Sequence, residues 1–227
     1  MKPPYIKKFS EISGFKVYIV NGKFIRTNID EEFTNFGQHY RFKFIPENEF
    51  WLDEEKQEGE TQFYIDHMLI ENRLMKQGMD YDRAIEKADI KEKRERSVSK
   101  YLNEKIKKPF DKKQELQKIH KKLLKKYSNN IKVWIVDGEL VRDLFETDFT
   151  EGGHDLVYPF VPKNEIWIDD DLSEKELKFI ILHESHERNL MEKGWDYESA
   201  HKDSSKIEFH CRNFERELNR ELAKELR

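Results

Sequence analysis

The feature that most constrains this chain is that it carries one sequence twice. KVYIVNGKFIR (16–26) aligns with KVWIVDGELVR (132–142), FIPENEFWLD (44–53) with FVPKNEIWID (160–169), and HMLIENRLMKQGMDYDRA (67–84) with HESHERNLMEKGWDYESA (183–200). A single offset of 116 lays residues 16–87 on 132–203 without a gap, and 27 of those 72 positions are identical. Convergence does not preserve register through loops and helices alike, so the pattern is that of a tandem duplication. Two modules are expected, residues 1–108 and 109–227, arranged as a pseudo-two-fold pair.

Each copy reads strand, turn, strand, loop, strand, helix, helix. Alternating or β-branched runs flank Asn21-Gly22 and Asp137-Gly138, and such dipeptides predict hairpin turns. Ser173 and Glu176 predict a capping box before a helix that runs to about Lys193 and stops at Gly194, the match of Gly78. A last helix is expected from near Asp196 almost to the C-terminus. The fold class expected is α+β, a small antiparallel sheet followed by an αα-hairpin in each module. The stretch 85–130 is expected to be helical with a break at Pro109, because Leu116, Ile119, Leu123 and Tyr127 keep helical spacing.

Charge narrows the partners. The net charge is −4, so no global field draws the chain to nucleic acid or membrane. From Glu104 to Tyr127 ten lysines face three acids. Neither interleaved aromatic residues nor a nucleic-acid motif accompanies that lysine-rich segment, 105–126, which favours a solvated face over a phosphate track. No run reaches the roughly 18–20 apolar residues that span a bilayer, and the first residues lack the apolar core of a secretion signal. With one cysteine, Cys211, no intrachain disulfide can form. A cytoplasmic setting is expected.

The segment LHESHER (182–188) concentrates the chemistry. At 100° per residue Leu177, Ile180, Glu184, Glu187 and Met191 share one helix face, and His183 lies beside it. Two carboxylates and an imidazole then point inward, where a carboxylate costs several kcal/mol unless it is paired or binds a metal. His183 and Glu187, spaced i and i+4, can reach one ion, with Glu184 beside them as a base. His201 in the final helix and His154 in the loop GGHD are candidates for the third ligand. His186 lies at the edge of this face, and Arg188 is expected to lean away from it.

His183-Glu184-Ser185-His186-Glu187 resembles the H-E-x-x-H helix of zincin-like metallohydrolases, with Glu187 where that motif has its second histidine. The resemblance covers one strand and one helix. It implies a metal-dependent hydrolase in which Glu184 is the general base and a divalent metal is the cofactor. Zinc leads, and the carboxylate ligand also suits manganese or iron. The substrate is not legible.

The first copy serves as a control. It keeps His67 and Glu71, but it has Met68, Ile70, Ile85 and Gln38 where the second has Glu184, His186, His201 and His154. This favours a site in the second module alone. It also supports a competing reading, in which the shared pair is structural, Glu187 pairs with an arginine such as Arg142, and the protein is a non-catalytic scaffold or adaptor whose lysines contact a partner. No Gly-rich phosphate loop, Cys-x-x-Cys pair or G-x-S-x-G elbow is present, which argues against nucleotide hydrolysis and thiol catalysis.

Overall fold

The computed structural model describes residues 2–56, 58–106 and 112–226. The chain is α+β and divides into two compact units, residues 1–107 with 142–148 and residues 108–141 with 149–227. The first unit contains β1 (Tyr5–Ile12), β2 (Phe15–Val20), α1 (Gly22–Asn28), β3 (Phe36–Gln38), β4 (Glu49–Asp53), α2 (Thr61–Lys76), α3 (Tyr81–Arg96) and α4 (Lys100–Lys105). Then come α5 (Lys112–Ile119), β5 (His120–Leu123), β6 (Lys132–Val136), α6 (Gly138–Leu144), β7 (Gly152–His154), β8 (Glu165–Asp169), α7 (Leu177–Glu192), α8 (Tyr197–Asn213) and α9 (Glu215–Glu225).

Both sheets have four strands, in the orders β1-β2-β4-β3 and β5-β6-β8-β7. The expectation of antiparallel sheets is corrected. The central pairs, β2 with β4 and β6 with β8, run parallel, and only the flanking pairs are antiparallel. The two parallel registers share the offset of the repeat, Lys16 against Glu49 and Lys132 against Glu165.

Parallel neighbours cannot be joined by a tight turn, and the expected hairpins are accordingly absent. Asn21 caps α1, its side-chain oxygen accepting the Phe24 amide at 2.6 Å, and Asp137 accepts the Leu140 amide at 3.0 Å. Asparagine and aspartate favour both kinds of corner, which is why the dipeptides mislead. The glycines serve close approach instead of a left-handed turn. A Cβ on Gly22 would fall 1.6 Å from an Asp53 carboxylate oxygen, and one on Gly138 would fall 2.1 Å from Asp169. Arg26, expected on a strand, sits in α1 and bonds Asp53 at 2.7 Å.

The middle of the chain also departs from expectation. Residues 120–123 form β5 and not helix, so Ile119, Leu123 and Tyr127 do not share a helical stripe. The break foreseen at Pro109 lies outside the described residues.

In the second unit the core is built between β8 and the inner faces of α7, α8 and α9, from Ile166, Ile168, Ile180, Ile181, Cys211 and Leu222 among others. Helix α7 starts at Leu177 with Glu176 at its cap position, and the Ser173 carbonyl accepts the Glu176 and Leu177 amides. It ends before Gly194, whose φ of +95° is the left-handed conformation that glycine supplies at a helix stop. The next helix does not run to the end as expected. It breaks at Phe214, and α9 folds back onto α7 by burying Leu218 and Leu222. Among the described residues no helix is long and apolar enough to cross a membrane.

Candidate metal centre

Helix α7 buries Glu184 and Glu187 against β7 and His183 toward α8, so the three residues are inward as the helical period predicts. Arg188 does not lean away. It is buried and grips Asp155 through Nε at 2.6 Å, tying α7 to the residue that follows β7. His186 bonds Asp203 of α8 at 3.1 Å and faces Glu225 of α9 at 3.0 Å, so it clamps helices together outside the centre.

Glu187 is the hub. Its Oε1 lies 3.0 Å from His154 Nε2, and its Oε2 lies 2.7 Å from His201 Nδ1 and 3.5 Å from His183 Nε2. His183 Nε2 and His201 Nδ1 face each other at 3.2 Å. Burial alone would raise the Glu187 carboxyl, but hydrogen bonds from His154, His183 and His201 hold it far below the usual carboxylate range. The structure therefore brings together all five residues nominated from the sequence, His183, Glu184, Glu187, His201 and His154.

His183 is fixed from behind. Its Nδ1 is 2.8 Å from Glu208 Oε2, and a carboxylate can only accept there, so Nδ1 carries hydrogen and Nε2 turns to the centre. Glu208 is held by Arg212 Nε at 2.8 Å, and Arg212 reaches Glu176 at 2.6 Å while stacking over Phe179. Burial opposes charge on His183, yet the carboxylates of Glu187 and Glu208 at its two nitrogens raise its pKa well above the ordinary imidazole value.

Three donors face one another here, His183 Nε2, His201 Nδ1 and Glu187 Oε2, within 4.8 Å. A tetrahedral ion with bonds of about 2.0–2.2 Å holds neighbouring ligands roughly 3.3–3.6 Å apart. The separations of 3.2 and 3.5 Å fit that requirement. The 2.7 Å contact between His201 and Glu187 is a hydrogen bond that must lengthen on ligation. Two nitrogens and one oxygen suit zinc, and they accommodate manganese or iron.

Glu184 is buried and, among the described residues, has neither hydrogen bond nor ion pair. Burial first, and then the charge of Glu187, push its carboxyl up to about 7. Such a group exchanges protons readily near neutral pH. It packs under Gly152, where a Cβ would come within 3.1 Å of Glu184 Cγ.

The first unit repeats the frame without the second histidine, and there His67, Asp89 and Glu92 lie close enough together to share an ion. His67 Nδ1 bonds Glu92 at 2.8 Å, Glu92 bonds Arg96 at 2.7 Å, and Arg96 lies 2.7 Å from Glu60. His67 Nε2 is 3.3 Å from Glu71. No second histidine faces it, because position 85 is isoleucine, and Phe36 packs edge-on against its ring at 5.1 Å. Glycine 152 is the counterpart of Phe36, so the second unit has no ring at that place. The sequence places Glu208 on the His201 side of its helix, seven residues on, but shows neither this exchange nor the support that Glu208 and Arg212 give His183. Arg142 does not pair with Glu187. It bonds Glu60 at 2.6 Å, and residues 142–148 belong to the first unit.

Burial opposes charge on His67, but Glu71 and Glu92 outweigh it and raise the pKa from 6.5 to about 10. The stabilisation from this imidazolium is complete below pH 6.5 and is lost as pH rises through about 10. The contribution is on the order of 3–5 kcal/mol. In urea titrations at pH 7 and at pH 10, wild type should lose stability across the interval, and His67→Gln should lose much less. Equal pH dependence in the two chains would contradict the assignment.

Compared with protein-family models, curated proteins and solved structures, the chain matches none.

Proposed function

We propose that the second unit is a metal-dependent hydrolase centre of zincin-like type. His183, Glu187 and His201 hold a divalent ion, zinc in the first instance, and Glu184 is the general base. The observation that carries this reading is the pair of imidazole nitrogens facing each other at 3.2 Å beside a buried carboxylate oxygen. A divalent cation there would displace the hydrogens that His183 Nε2 and His201 Nδ1 direct at Glu187, take up the freed lone pairs and balance the buried carboxylate. Bound there, a divalent ion would polarise a carbonyl or phosphoryl oxygen and make water more acidic. The protein's own part is to place the buried Glu184 beside Glu187, where its carboxylate can take a proton from attacking water and return it to the leaving group.

The common strand order and register of the two sheets support a tandem duplication in which the first copy keeps the frame. Met68 and Ile85 stand where the acting copy has Glu184 and His201. A scaffold reading draws on the same comparison. In the first unit the His67–Glu92–Arg96 chain exists without a third nitrogen and so has a structural role.

Glu184→Gln separates the two readings. It keeps the shape and removes the base, so metal content and fold should persist while hydrolysis of a peptide or ester library falls by about 100-fold or more. A scaffold would be unchanged or slightly stabilised by the same substitution, as Met68 suggests. An active chain whose rate survives Glu184→Gln has its base elsewhere.

A further inference from the structure

We propose that His154 is a positioning residue and not a ligand: it gives its Nε2 hydrogen to Glu187 Oε1 and thereby presents Oε2 as the single carboxylate donor. This rests on the metal reading above for its purpose, but not for its geometry. The Leu156 amide donates to His154 Nδ1 at 3.2 Å. An amide N–H cannot accept, so Nδ1 keeps its lone pair and the neutral ring carries hydrogen on Nε2. That nitrogen is 3.0 Å from Glu187 Oε1. To ligate through Nε2 the neutral ring would have to move its hydrogen to Nδ1, against the Leu156 amide, and so Nε2 offers an ion no lone pair. The neighbouring group formed by His154, Glu184 and Glu187 is then two carboxylates without a nitrogen donor.

The first unit carries out the same operation with a different residue. Gln38 stands at the position of His154. Its Oε1 accepts the Tyr40 amide at 2.8 Å, and its Nε2 donates to Glu71 Oε1 at 2.5 Å. Residues 38, 40 and 71 are the counterparts of 154, 156 and 187 at the offset of the repeat. A glutamine amide nitrogen has no lone pair to ligate a metal, yet it makes the same two bonds. In both units the remaining oxygen, Oε2, faces the helix histidine, at 3.3 Å in the first and 3.5 Å in the second. The frame therefore calls at this position for a group that accepts from an amide and donates to the glutamate. His201 replaces Ile85 and has no such equivalent, so it is the residue added to the frame.

The test compares His154→Gln, His154→Ala and His201→Gln in the full chain. Zinc affinity is read by competition with a chromophoric chelator, melting is followed alongside, and long-range proton–nitrogen NMR identifies the hydrogen-bearing ring nitrogen of His154. His154→Gln should keep zinc affinity within about 10-fold and melt like wild type, whereas His154→Ala should weaken zinc by roughly 10–100-fold and melt lower. NMR should show hydrogen on Nε2 with and without zinc. The proposal is overturned if His154→Gln abolishes zinc binding while His201→Gln retains it, or if the hydrogen is on Nδ1. A wild-type chain that takes up no zinc refutes the metal reading alone. The NMR result and the melting of the glutamine and alanine variants then decide the role of His154.

Discussion

Arg212→Ala should destabilise the second unit by about 3–5 kcal/mol. The Arg212 side chain is fully buried, bonds Glu208 at 2.8 Å and Glu176 at 2.6 Å, and lies over Phe179 at 4.7 Å from the ring centre. Its removal leaves two buried carboxylates without their guanidinium. Burial opposes the charge of Glu208, and Arg212 is the leading reason its pKa is nevertheless lowered. Without Arg212 that carboxylate gains a proton or draws in water, and its grip on His183 Nδ1 weakens. Urea unfolding measures the loss. Adding Glu176→Gln should recover part of it, because one of the stranded charges disappears. A loss below about 1 kcal/mol would mean that the His–Glu–Arg chain is ornamental to stability.

His201→Gln is expected to have the largest effect on the centre itself. It removes the ring nitrogen that faces His183 Nε2, for which the first unit has only Ile85, and leaves the His183–Glu187 pair that both units share. Two ligands bind a divalent ion far more weakly than three, so zinc affinity should fall by at least about 100-fold. The fold should survive, because Ile85 occupies the equivalent place in the first unit and His201 is only partly buried. Chelator competition gives the affinity, and circular dichroism the fold. Unchanged zinc binding by a folded His201→Gln chain would remove His201 from the ligand set.

The inward face of α7 was legible because a 3.6-residue period fixes side-chain direction. Ile180, Glu184 and Glu187 could be placed on one buried stripe without coordinates. The stop at Gly194 was legible for the same local reason. The parallel central strands were not, because Asn21-Gly22 and Asp137-Gly138 fit a hairpin and a helix cap equally well, and only tertiary pairing decides. Ile119, Leu123 and Tyr127 misled through spacing alone, since β5 interrupts the helix they suggested. The support of His183 was missed because identity thins out after residue 203. Of the nine pairs from 88 with 204 to 96 with 212, only Glu92 with Glu208 and Arg96 with Arg212 are identical. Those two pairs are the residues that carry the buried ion chain. Which histidine would complete the proposed ligand set turns on which ring nitrogen accepts an amide, and spacing does not encode that.

The central claim is that one divalent ion binds between His183, Glu187 and His201. Elemental analysis of the chain, purified without chelator or histidine tag and then equilibrated with zinc and desalted, tests it most directly. One ion per chain is the predicted result, abolished by His201→Gln. Two ions per chain would show that the repeated His–Glu pair suffices and that His201 is dispensable. No ion would contradict the account and leave His183 and Glu187 as a buried structural pair.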